Sequence, residues 1–280
     1  MLLITGANGQ LGQCLKELLG KNGALYTDAA ELDITQEDAV LSFGKQHALT
    51  GIINCAAYTN VDKAETEPET AYRINALGPA HLARLAAEQN IPLVHISTDY
   101  VFDGCAHTPI PETAVASPLG VYGKTKREGE EAVLSKAPTA IILRTAWLYS
   151  PYGKNFLKTM VFLGAQKEEL RVVADQFGTP TYAPHLAQAI LTILPNIKPS
   201  QKEIYHFTDE GAATWYDFAH YILKKRQSPC RVLPIKTSEY PTQAVRPAFS
   251  VLDKTKIKHS FGLTISHWMQ GVDQCLTKLS

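Results

Sequence analysis

Apolar residues along this chain are grouped in two alternating ways. Short unbroken runs at Met1 to Thr5, Ala24 to Thr27, Gly51 to Cys55, Leu93 to Ser97 and Thr139 to Arg144 have the length and composition of strands buried on both faces. Between them, apolar residues recur every three or four positions, the spacing of one helix face. Leu15, Leu18 and Leu19 show it, as do Tyr72, Ile74, Leu77, Leu82, Leu85 and Ala86. Thr35 is expected to cap a helix that starts near Glu37. The alternation continues with a helix from about Asn155, a strand at Leu170 to Val173, a helix from Pro184 to Leu194 and a strand at Ile204 to Phe207. Strand and helix in turn predict an α/β fold built on a doubly wound parallel sheet. Past that point the pattern changes: Trp215 to Lys225 is amphipathic, Arg231 to Ile235 reads as a short strand, Tyr240 to Pro247 is irregular and His267 to Leu279 is helical. The expected organisation is a core over residues 1–207, with 151–169 contributing to a cleft, and a smaller lobe over 208–280 lying across the strand ends.

Composition narrows the function more than the fold. Lysine and arginine balance aspartate and glutamate at 27 each in 280 residues, so nothing marks a nucleic-acid or anionic-membrane surface, and a small specific ligand is expected. Cys14, Cys55, Cys105, Cys230 and Cys275 are scattered and contain no C-x-x-C, which argues against a disulfide framework or a structural metal. With no leader-like segment and no long apolar run, the expectation is a cytoplasmic protein that does not enter a membrane.

The chemistry begins at Gly6-Ala7-Asn8-Gly9-Gln10-Leu11-Gly12, which follows the first strand and opens the first helix. In that context Gly6 permits a tight turn, Gly9 lets backbone approach a pyrophosphate at the helix amino end, and Gly12 allows close helix packing, as in Rossmann-like dinucleotide folds. The spacing is G-x-x-G-x-x-G, a departure from the commonest dinucleotide pattern. Asp28, at the end of the second strand, is either a ribose-binding carboxylate or a solvated loop acid. Thr98 stands where the fourth strand leaves its carboxyl end, just past Ile96, and Tyr122 and Lys126 are four residues apart and share a helix face. Taken alone that pair reads as well as a packed tyrosine beside a lysine stem. After a glycine loop it reads as a proton donor whose phenol is brought toward the working pH range by the neighbouring ammonium.

GANGQLG (6–12), CAAYTNVDKAE (55–65), STDYVFDG (97–104), YGKTKREGE (122–130), RTAWLY (144–149), NFLKTM (155–160), DQFGTPTY (175–182) and RPAFSVLD (246–253) together resemble the extended short-chain dehydrogenase/reductases and, within them, the dTDP-4-dehydrorhamnose reductase family. The resemblance implies Tyr122 as proton donor, Lys126 as its electrostatic and ribose partner, and Thr98 as the hydroxyl that positions a ketone. It also implies Gly9, Gln10 and Leu11 at the cofactor pyrophosphate, Asp33 and Ile34 near the adenine, Ala57, Tyr58 and Thr59 in the cofactor groove, and Ile96 as a further cofactor-binding residue. Thr98, Asp99 and Trp147 would meet a dTDP-4-keto-6-deoxy sugar. Some members dimerise through a magnesium ion held by glutamates; Cys14 occupies the early glutamate position, so no metal and a monomer or weak homodimer are expected.

NADH or NADPH is the implied cofactor. From Asn22 to Gly44 there is no basic residue to hold a 2′-phosphate, and Asp28, Glu31, Asp33, Glu37 and Asp38 are all acidic, so NADH is expected to serve at least as well as NADPH. A dehydratase would need an Asp-Glu pair after the threonine, where this chain has Asp99-Tyr100. Another nucleotide-sugar reductase or epimerase remains an alternative, with Cys105 and His107 a weak extra acid/base pair. A non-catalytic chain resembling the regulatory subunit of methionine adenosyltransferase is a further one. Trp147 reads as either a substrate wall or a core aromatic, and Arg246 as a weak nucleotide contact or a structural arginine.

Overall fold

The computed structural model describes residues 1–279. Strands β1 (Leu2–Thr5), β2 (Ala24–Thr27) and β3 (Gly51–Asn54) alternate with helices α1 (Gln10–Leu19) and α2 (Glu37–Gln46). Short helices α3 (Val61–Ala64) and α4 (Pro68–Tyr72) lead through one π-helical turn (Arg73–Leu77) into α5 (Gly78–Gln89), and then β4 (Pro92–Thr98), α6 (Val121–Lys136) and β5 (Thr139–Thr145) follow. The rest comprises β6 (Leu148–Tyr149), α7 (Phe156–Gly164), β7 (Glu169–Val173), β8 (Phe177–Gly178), β9 (Thr181–Tyr182), α8 (Ala183–Ile193), β10 (Lys202–His206), β11 (Ala213–Thr214), α9 (Trp215–Lys225), β12 (Arg231–Ile235), α10 (Thr255–Phe261) and α11 (Trp268–Lys278).

Six strands form one sheet in the order β10-β5-β4-β3-β1-β2, with every pairing parallel. Both faces are covered, which is why β3 is buried at all four positions. Leu11, Leu15, Leu186, Ile190 and Ile257 pack on one side, and Val40, Leu82, Leu85 and Val133 on the other. The order reverses at β1, whose neighbours are β2 and β3, so the crevice where ligands bind opens beyond the ends of β1 and β3. There the two strand ends nearly touch: a Cβ on Gly6, whose φ is +66°, would lie 2.6 Å from the Ala56 nitrogen.

Two local expectations change. Thr35 does not cap α2: the N-cap position falls on Gln36, whose side chain makes no capping bond, and the Thr35 hydroxyl instead donates to Asp33 Oδ1 at 2.8 Å, closing a turn at the edge of the crevice. The strand at 169–173 leaves the main sheet and pairs in parallel with β12. A second core, with Tyr149, Leu157, Tyr182, Phe218, Ile222 and Trp268, therefore draws residues from both sides of position 207, because the chain returns to the sheet for α8, β10 and α10. The lobe helix α9 is held at its start by reciprocal Thr214 and Asp217 bonds, a capping box.

Candidate active site

One cavity of about 1070 Å³ runs from the Asp33–Thr35 turn past Gly9–Gly12 to Thr98 and on to Trp147. Single-ligand pockets span ~300–1,000 Å³, so this one lies at the large end, as an extended ligand such as a dinucleotide requires. Gly12 is required by contact, since a Cβ there would run into the Gly6 carbonyl. The first-turn N–H groups of α1 have no helical partners, and the helix begins at this loop, which suits a pyrophosphate. A dinucleotide therefore fits the residues present.

Every expected site residue lines this cavity except Tyr58. The Tyr58 phenol instead donates to Glu67 Oε2 at 2.7 Å, while its backbone is held by Asn75, which accepts from Tyr58 N–H at 2.8 Å and donates to its carbonyl at 3.1 Å. Asn75 also donates to Thr125 Oγ1 at 3.2 Å, joining the Ala57–Thr59 loop to α6. Asp28 accepts from Asn8 N–H at 3.0 Å, and Gln10 from Ser150 and Asn155, so that the glycine loop is braced at both ends.

At the chemical end Thr98 closes β4 directly beside Thr145 of β5. Its hydroxyl oxygen accepts from Tyr100 N–H at 3.2 Å, and its proton points to Asp99 Oδ1 at 3.1 Å. Helix α6 starts against Glu65, whose carboxylate accepts from Val121 N–H at 2.8 Å, a favourable charge at a helix amino end. Gly123 lets this first turn press on the Tyr100 carbonyl, which a Cβ would strike, and so Tyr122 reaches Thr98. The Tyr100 ring meets the Tyr122 ring edge-on at 5.5 Å.

The electrostatics correct one expectation. The Tyr122 phenol is not brought toward neutrality: burial pushes it up to about 12, with the Thr98 hydrogen bond opposing and the Asp99 charge adding to the rise, and the Lys126 amine donates to the Ile96 carbonyl at 2.6 Å. Tyr122 is thus fully protonated at neutral pH, the state a proton donor needs. Burial lowers Lys126 to about 8 against the pull of Glu130 and Cys55, and raises Asp99 to about 6 against hydrogen bonds from Ser250 and Thr98.

Trp147 is half-buried and stacks on Trp215 of α9 with centroids 3.6 Å apart and planes 10° apart. Its φ of +47° is unusual for a large side chain, and the indole lies against Gly178, where a Cβ would come within 2.6 Å of the ring. Trp215, Arg73 and Lys154 also line the cavity and were not expected to. Nothing local in the sequence marks them, although the one-turn lead from Gly153 to the Asn155 cap carries Lys154. Arg246 lies outside the cavity lining and pairs with Asp62 at 2.8 Å. Cys105 and His107 are exposed on a loop away from the cavity, and Cys14 is buried in the core.

A parallel dinucleotide-type sheet with a strand-end threonine and a Tyr-x-x-x-Lys helix around one cavity defines a class, the NAD(P)H-dependent oxidoreductases of the extended short-chain dehydrogenase/reductase type. A family model described as the RmlD substrate binding domain matches residues 1–280. A dTDP-4-dehydrorhamnose reductase of Aggregatibacter actinomycetemcomitans is 45% identical over 97% of this chain and 96% of its own. The crystal structure of a dTDP-4-dehydrorhamnose reductase from Clostridium acetobutylicum superposes with a TM-score of 0.95 at 41% identity, covering 99% of each chain. That of a Bacillus anthracis dTDP-4-dehydrorhamnose reductase in complex with NADP gives 0.95 at 37% identity, covering 99% of this chain and 98% of that one. The chain belongs to the dTDP-4-dehydrorhamnose reductase family.

Proposed function

We propose that this enzyme reduces the C4 ketone of dTDP-4-dehydro-L-rhamnose to give dTDP-L-rhamnose, a nucleotide sugar for cell-surface polysaccharide. The observation that carries the reading is the meeting of Thr98, Tyr122 and Lys126 at one end of a cavity whose other end is the Gly6–Gly12 loop. A reduced nicotinamide dinucleotide, with its pyrophosphate at that loop, would supply the hydride. Thr98 turns its hydroxyl from Asp99 to the ketone oxygen and fixes it beside Tyr122. Tyr122 gives its proton to that oxygen as negative charge builds there, and the Lys126 ammonium, steadied by the Ile96 carbonyl, offsets the charge left on the phenolate. Trp147 and Trp215 form an aromatic wall that excludes water on the sugar side.

The reading includes a cytoplasmic setting, supported by five free thiols, and a monomer or weak homodimer, supported by a buried thiol at position 14 in place of a metal-binding glutamate. No helix among the described residues is long and apolar enough to cross a membrane. The test is oxidation of NADH or NADPH on addition of dTDP-4-dehydro-L-rhamnose, with the product identified by NMR. A product other than the rhamnose epimer at C4 would replace the substrate assignment, and no oxidation would remove it.

A further inference from the structure

Four residues beyond Lys126 on α6 comes Glu130, on the face that already carries Tyr122 and Lys126. It is fully buried, and Arg144 of β5, itself 1% exposed, grips it with two bonds: Nε to Oε1 at 2.8 Å and Nη2 to Oε2 at 2.7 Å. Arg127 adds a third at 3.0 Å from its half-buried position. Arg144 pairs in register with Ser97, one residue before Thr98, and its guanidinium lies 5.1 Å from the ring of Phe102, just past the Thr98–Val101 turn. A single ion pair therefore joins the helix with Tyr122 and Lys126 to the strand ends around Thr98.

The groups facing the Lys126 amine decide what charge it feels. From just past β3 comes the Cys55 thiol, pushed up to about 12 by burial; from β4 comes the His95 imidazole, pushed well below its ordinary value by burial and by Lys126 itself. Tyr122, one turn earlier, is a neutral phenol. Near neutral pH these three are uncharged, which leaves Glu130 as the anion acting on Lys126, opposed by the Arg144 and Arg127 guanidiniums bonded to it.

We propose that Glu130, clamped by Arg144, is a positioning residue for the reduction: it fixes α6 against the end of β4 and supplies the negative charge that keeps Lys126 an ammonium. The proposal rests on the role given to Lys126 above. Its test is the alkaline limb of kcat/KM in the intact enzyme. Glu130→Gln keeps the shape and removes the charge, and the limb should move down by about one pH unit, at the lower end of what a nearby opposite charge contributes. Arg127→Gln removes a competing cation from a partly exposed site, where folding is retained, and should move the limb the other way by a few tenths of a unit. It keeps the idea testable if the buried pair proves too costly to break. The same limb, read as the pH dependence of NADPH affinity by nicotinamide fluorescence, requires no sugar. A limb that moves there while the wild type fails to turn over the dTDP sugar supports the positioning role and sinks the substrate assignment alone. A fall in melting temperature with the limb unmoved in the variants would make the pair a structural brace and overturn the proposal.

Discussion

At the scale of single residues, Asp99 carries the clearest conflict between folding and function. It is 2% exposed, Oδ2 has no partner among the described residues, and burial raises its carboxyl to about 6. Because the folded value lies above the unfolded one of ~3.9, Asp99 favours the folded state below about pH 4, and that contribution is lost as pH rises through 6. Above that the buried charge destabilises by about 2 to 3 kcal/mol. Asp99→Asn should therefore melt several degrees above the wild type at pH 7.5, with the gap closing toward pH 4; a gap independent of pH would contradict this. Arg73 bears on cofactor choice. It lines the cavity, its Nη2 lies 3.4 Å from Thr35 Oγ1, and it comes from outside the acidic stretch that led to the expectation of NADH. If Arg73 serves the 2′-phosphate, Arg73→Ala should lower kcat/KM with NADPH by roughly tenfold, the loss of one charge-assisted bond, and leave NADH nearly unchanged. Equal losses would exclude that role.

At the scale of elements, the Trp147–Trp215 stack couples the end of β5 to the lobe helix α9. Trp147→Ala and Trp215→Ala should each raise KM for the sugar nucleotide about tenfold or more, the order of one aromatic contact, with NADPH affinity intact. A large loss of thermal stability with KM unchanged would make the pair a core contact. What was legible in the sequence divides along the same line. The glycine loop, the Tyr122 helix and α9 were readable because each is fixed by spacing within one segment, and α9 runs over the residues its amphipathic pattern predicted. The partner of β7, the π-helical turn that aims Asn75 and the seat of Trp215 were not, since each depends on residues far away in the chain. Helix α10 was also missed, because after the Tyr240–Pro247 loop its seven residues are too few for a helical period to stand out. The rise of the Tyr122 phenol was not legible either, because helical spacing places an amine nearby without saying which acceptor it turns to or how deeply the phenol is buried.

At the scale of the whole molecule, the chain passes between sheet and lobe several times, so the cavity wall is built from both and neither closes it alone. Arg246 ties the 240–247 loop to Asp62 beside the cavity, with Ala244 N–H adding a bond to the same carboxylate at 3.1 Å. The account as a whole asks that Tyr122 be the proton donor in a site where Thr98 and Lys126 are already placed. The direct measurement is turnover of dTDP-4-dehydro-L-rhamnose by wild type and by Tyr122→Phe, each shown to be folded and to bind NADPH. The phenylalanine keeps the ring against Tyr100 and removes only the hydroxyl, and kcat should fall by about 10² to 10⁴, the usual contribution of a positioned acid. A folded variant with kcat within a few-fold of the wild type would contradict it.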